Sequence, residues 1–298
     1  MLGNYEVNSL GLDLSDFRIV WVDNIPFFVP KDMDLLEEKY LIASQLTLMF
    51  NQKSVDNVLK RYLSDFEESR SSITSTLEEK VIEEILALSK QVYSNLHKKL
   101  SNINFEEGTI STIACNALFF RLASTFRSIH YCIKFCHYFE GFALIRLVLE
   151  QLAYAYTASQ VASGKFKTFL SPTKSLGILK NLMPNAGRLY NILSKKAHID
   201  KSEIHNYIKV ENEQHFVLMH DINYALEASA YLLLLLDFMN CTFEFCFKNH
   251  SIPFENTYLD RNKAVFLKED REFRSLANSK IEQIELLLNM PTNKLMRA

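Results

Sequence analysis

The chain has 298 residues, 48% of them hydrophobic and 12% aromatic, enough apolar surface for one large core or two modest ones. Its 33 basic and 35 acidic residues leave a formal net charge of −2, which excludes a global basic field for nonspecific nucleic-acid binding and leaves only a local patch open. Seven glycines and six prolines are few for this length, so turn chemistry is scarce and long helices are expected.

The first sixteen residues, MLGNYEVNSLGLDLSD, carry acids and no basic stretch ahead of an apolar core, so no secretory leader is expected. Residues 17–29, FRIVWVDNIPFFV, are strand-like: β-branched and aromatic residues flank a turn at Asp23-Asn24, and Pro26 and Pro30 oppose helix. Helical period begins near Asp32. A first helix covers residues 34–50, and a second, capped by Ser54, runs to Glu68. Residues 72–100 read as one amphipathic helix, acidic early and basic late (Lys90, Lys98, Lys99), as the helix dipole favours.

The loop at 101–109, SNINFEEGT, is the best boundary, separating an N-terminal hairpin with helices (1–100) from a main bundle (101–298), unless the two form one continuous domain. A long helix follows from Thr109 to Phe139, and then a central one over 140–160 that Gly164 closes. Pro172, Pro184 and Gly187 break residues 171–210 into short helices. Residues 211–248 read as one almost wholly apolar helix that must be buried, 249–260 as a loop, and 263–289 as a charged closing helix. The fold class is therefore all-α, a multi-helix bundle with a small N-terminal β-hairpin-like segment.

The most apolar run, Ala228–Leu236 between Glu227 and Asp237, is too short to span a bilayer, so no membrane partner is expected. Five cysteines, odd in number and without a Cys-x2-Cys pair, suit free thiols in a reducing, cytoplasmic setting. No metal site is expected. No histidine has His, Asp or Glu four residues on, and Cys246-x3-His250 lacks partners to complete a ligand set. No cofactor is implied either, because Walker loops, Gly-x-Gly-x-x-Gly fingerprints and Gly-x-Ser-x-Gly elbows are all absent.

The informative polar residues lie in two segments. Arg146 and Glu150, four apart in the apolar stretch EGFALIRLVLEQLAYAYTASQ, share a helix face. Downstream, LYNILSKKAHI sets Ser194 and His198 four apart, with Arg188 and Tyr190 just before and Lys195 and Lys196 between. If the segments pack together, Arg146, Glu150, Ser194 and His198 meet in one polar centre. There a histidine supplies acid–base chemistry and an arginine stabilises a phosphoryl-like charge, while Arg188, Tyr190, Lys195 and Lys196 bind substrate. The competing reading is an internal hydrogen-bond network that orients two helices. His130, three residues after Arg127, is either a further member of the centre or an ordinary helix-face residue.

The pairing of Arg146-x3-Glu150 with Leu193-Ser194-x3-His198 resembles an uncharacterised bacterial all-helical family akin to the HEPN group, which includes abortive-infection proteins. The resemblance covers about residues 110–245. It implies a metal-independent ribonuclease of a defence or toxin system, RNA as substrate, a protein partner such as an antitoxin, and a homo-oligomer. His198 would then work on the 2′-hydroxyl, and Arg146 or Arg188 would contact the phosphate. The spacing differs from that family's Arg-x4–6-His, since two residues separate Arg127 from His130 and nine separate Arg188 from His198. The alternative is a non-enzymatic interaction or scaffold module in which the quartet is structural.

Overall fold

In the computed structural model, β1 (Phe17–Val22) and β2 (Ile25–Pro30) pair antiparallel from Phe17↔Pro30 to Val22↔Ile25. The structure describes residues 16–22, 25–64, 66, 76–103, 109–160, 171–198, 208–211, 214–217, 221–250, 252–261, 264–290 and 295. The turn expected at Asp23-Asn24, and the closing role expected of Gly164, lie outside these residues. Pro30 is tolerated because a two-stranded ribbon has only edge strands.

Alternation puts Val20, Val22, Phe27 and Val29 on one buried face, packed with Ile42, Ala43 and Leu46 of α1 (Leu35–Met49) and Val58 of α2 (Val55–Tyr62). Asp34 caps α1 through the Glu37 amide at 2.9 Å, and Ser54 caps α2 through that of Asn57 at 3.3 Å. Glu38 is fully buried in this small core and is matched by Arg18 of β1. These elements belong to one compact unit, Met1–Thr76.

The second unit is Leu77–Ala298, so the division falls at residue 76 and not near 101, and the helix expected over 72–100 belongs with the larger unit. That helix is α3 (Leu77–Ser101). There follow α4 (Ile110–Lys134), α5 (Tyr138–Gln160), α6 (Pro172–Leu179), α7 (Ala186–Ala197), α8 (Ile222–Cys246) and α9 (Glu272–Leu287). The larger core is arranged around two helices: α5 packs on α4, α6, α7 and α8, while α8 packs on α3, α4, α5 and α9.

The helix expected to run to Glu68 ends at Tyr62, and three boundaries in the larger unit also depart from the sequence reading. The helix expected over 109–139 stops at Lys134, where Cys136 takes a left-handed φ of 56° and the His137 amide donates back to the Cys132 carbonyl at 2.8 Å. This is a Schellman-type stop made without glycine, which is why nothing in the sequence marked it. The helix expected over 211–248 begins only at Ile222, because β3 (Ile208–Glu211) and β4 (Gln214–Val217) pair as a hairpin, Ile208↔Val217 to Glu211↔Gln214. The last helix starts at Glu272, not near 263. Ahead of it β5 (Thr257–Leu259) and β6 (Val265–Leu267) form a third two-stranded sheet, with Tyr258 and Phe266 stacked at 5.7 Å across it.

By length and composition α8 could also cross a membrane, a longer apolar helix than the run Ala228–Leu236 suggested, but 83% of the relevant window is buried against the rest of the protein. Its interior carries three carboxylates. Asp237, fully buried, takes a two-pronged contact from Arg271, Nε to Oδ1 at 3.0 Å and Nη2 to Oδ2 at 2.8 Å, with Arg274 at 3.6 Å. Burial works against the Arg271 charge, but the Asp237 carboxylate outweighs it and holds the guanidinium above its ordinary range. Glu244 accepts from the amides of Glu255, Asn256 and Thr257, the Asn256 carboxamide and the Thr257 hydroxyl, all at 2.7–3.0 Å. Glu227, nearer the start of α8, pairs with Lys196.

The thiols of Cys132 and Cys136 flank the α4–α5 turn, and both are pushed up from 9.0 to about 11. Burial is the main cause, helped by Glu140 at Cys132 and by Asp221 and Glu79 at Cys136. Because the folded values lie above the unfolded one, the stability these thiols contribute is complete below about pH 9 and is lost as pH rises through about 11. Thermal melts across that window should fall more steeply for wild type than for Cys132→Ala/Cys136→Ala. Parallel curves would contradict this.

Candidate functional site

The polar centre is built where the middle of α5 meets the end of α7. The three-residue turn at 135–137 sends α5 back along α4, and Ile145, Val148, Leu149 and Leu152 on its inner faces are fully buried. Arg146 and Glu150 fall between those faces and remain half-buried, each side chain 22% exposed. The pair is thus neither sealed in the core nor freely solvated.

α7 is amphipathic, with Ala186, Leu189 and Leu193 inward. It ends at His198, the C-cap residue, whose backbone is extended and whose amide donates to the Ser194 carbonyl at 3.1 Å.

Across this junction Arg146 Nη1 donates to His198 Nε2 at 2.7 Å, and Arg146 Nε lies 3.5 Å from Glu150 Oε1. A guanidinium has donors only, so Nε2 is the acceptor and the ring proton sits on Nδ1. His198 is exposed, and Ser194 is half-buried one turn earlier on the same stripe. The two segments therefore meet through Arg146, which contacts both Glu150 and His198, while Ser194 takes part through its backbone carbonyl.

The four expected substrate-binding residues divide differently. Arg188 and Lys195 are exposed on the outer face of α7, while Tyr190 packs partly against the core. Lys196 is committed inward. Its ammonium lies 2.8 Å from Glu227 Oε2, over the rings of Phe142 (5.2 Å) and Tyr224 (5.6 Å), and the Tyr231 hydroxyl donates to the other Glu227 oxygen at 3.2 Å. It thus fastens the end of α7 to α8, two residues from His198, and acts as a positioning residue.

His130 lies elsewhere, buried between α4 and α3 with Nε2 at 2.9 Å from Ser89 Oγ. Cys246 neighbours the Cys115 thiol, burial pushing its own thiol up, and His250 packs its ring against Phe247 at 5.9 Å. Among the described residues no three His, Cys, Asp or Glu side chains cluster as metal ligands.

Sequence reasoning missed Glu227, Asp237 and Glu244. Their signal was present: each is a lone acid inside an otherwise apolar helix, which requires a buried partner. Comparison with known proteins finds no match to any family model, curated protein or solved structure.

If Lys196 positions the end of α7, Lys196→Met leaves Glu227 uncompensated and should cost about 3 kcal/mol or more. Lys196→Met/Glu227→Leu together should recover most of that loss. Urea denaturation of the four proteins of the cycle measures it, and strictly additive losses would contradict the pairing.

Proposed function

We propose that the Arg146–His198 junction is the centre of a metal-independent ribonuclease, and that the protein is a HEPN-like effector of a bacterial defence or toxin system acting in the cytoplasm. The observation that carries the reading is the 2.7 Å contact between a guanidinium and the unprotonated nitrogen of an exposed imidazole, contributed by separate helices. Together they can supply a base for the 2′-hydroxyl and a cation for the phosphate, two of the functions that transesterification of RNA uses.

On this reading His198 Nε2 removes the 2′-hydroxyl proton as the 2′-oxygen attacks the adjacent phosphorus. Arg146 releases the imidazole and binds a non-bridging oxygen where charge accumulates, held in orientation by Glu150. The 5′-oxygen leaves with a proton from water, giving a 2′,3′-cyclic phosphate and a 5′-hydroxyl. Ser194 lies within the same stripe to contact the ribose, and Arg188 and Lys195 offer exposed cations to flanking phosphates.

A second reading is a non-enzymatic interaction module, for which the polar centre only orients α5 and α7. It is favoured by the outer face of α4, where Ile110, Ile113 and Phe120 stand exposed at spacings of three and seven residues, a stripe suited to a second copy or a protein partner.

Incubation with RNA in excess chelator separates the two. Wild type should yield fragments ending in cyclic phosphate, and His198→Ala should lose about a hundredfold or more in rate at unchanged helicity. Activity retained in His198→Ala would contradict the first reading. Inactivity of both proteins, with a mass in solution of two chains, would favour the second.

A further inference from the structure

Away from the polar centre, α3, α8 and α9 enclose a cleft of about 530 Å³, within the range of small-molecule sites. Its floor is α8. Between Ala225 and Phe245 every residue of that helix is buried except Asn240, which opens into the cleft. One wall is α3, which contributes the partly buried Leu88 and Val92 beside the exposed Gln91 and Asn95. The other is the start of α9, with Phe273 and Glu272.

Two ion pairs tie α3 to the segments that face it. Lys280 Nζ of α9 meets Glu84 Oε2 of α3 at 2.5 Å, and Lys99 Nζ meets Glu255 Oε2 at 2.6 Å. The residues that line it on α3 run from Leu88 to Lys99, about 16 Å at the helical rise, so the cleft is short. A compact occupant fits it.

The polar groups define that occupant. The carboxamides of Gln91, Asn95 and Asn240 make no hydrogen bond to a described residue, and each offers both donors and an acceptor. Lys98 on the α3 wall and Glu272 on the α9 wall are opposite charges, neither in an ion pair with a described residue. Between them lies apolar surface. We propose that this cleft binds a small zwitterion with an apolar body, a free hydrophobic amino acid or a short apolar peptide. Its carboxylate meets Lys98, its ammonium meets Glu272, its amide or α-groups pair with the carboxamides, and its side chains cover Leu88, Val92 and Phe273. Two like charges on the ligand would leave one wall repelled, and a ligand without polar groups would strand the amides.

Calorimetric titration of the full chain tests this with leucine, phenylalanine, leucyl-phenylalanine, N-acetyl-leucyl-phenylalanine amide and adenosine. At least one zwitterion should bind one to one, and the doubly blocked dipeptide, which lacks both charges, should bind about tenfold or more weakly. The dipeptide against the single amino acids decides the length the cleft accepts. Lys98→Gln should weaken the zwitterion and leave the blocked compound unchanged, whereas Asn240→Leu should weaken both. Should Asn240→Leu fail to fold by circular dichroism, Asn95→Leu on the exposed wall serves in its place. The proposal is overturned by no binding from any zwitterion at about 10 mM. It is equally overturned by blocked and free dipeptide binding alike, or by adenosine binding while the zwitterions do not.

Discussion

A carboxylate inside a wholly apolar helix must be matched, because an unpaired buried charge costs several kcal/mol. The larger unit is organised by that constraint applied three times along α8. Glu227 reaches Lys196 at the end of α7, Asp237 reaches Arg271 at the start of α9, and Glu244 gathers the backbone of residues 255–257. Hydrophobic burial would hold α8 in the centre in many rotational settings. The three acids select one, since each accepts a partner only from a particular side. Specificity of arrangement, more than net stability, is what these pairs contribute.

The polar centre inherits its geometry from this frame. α7 is a short helix whose apolar stripe alone would let it slide on α5 and α8. Lys196, pinned to Glu227 over two aromatic rings, fixes its last turn, and two residues later His198 arrives beside Arg146. Arg146 in turn sits on the helix whose entry angle is set by the left-handed stop at Cys136. A contact of 2.7 Å between two flexible side chains thus rests on backbone and ion-pair devices several residues away. The cleft under α3 and α9 depends on the same frame from its far side, where Glu244 and Asp237 place the walls around Asn240.

Helical period, capping residues and glycine scarcity made the bundle legible in the sequence, and the i, i+4 spacing of Arg146–Glu150 marked the pair that meets His198. What was not legible follows from three physical facts. Short hairpins such as 208–217 and 257–267 carry too few residues to declare a period against their helical surroundings, and tertiary packing decides them. The break at 135–137 uses cysteine where glycine is the usual signal, so local propensity favoured continuing the helix. Lys196 was legible only as a substrate-binding cation beside His198, because its partner lies 31 residues downstream and sequence spacing says nothing about contacts across elements.

The central claim is that each buried acid of α8 holds one outer element. Amide hydrogen exchange by mass spectrometry on wild type and Asp237→Asn tests it most directly, since Asn keeps the shape and removes the charge that Arg271 requires. Protection should fall in α9 and the hairpin before it, while α4, α5 and α7 exchange as in wild type. Uniform loss of protection across the unit, or none at all, would contradict it.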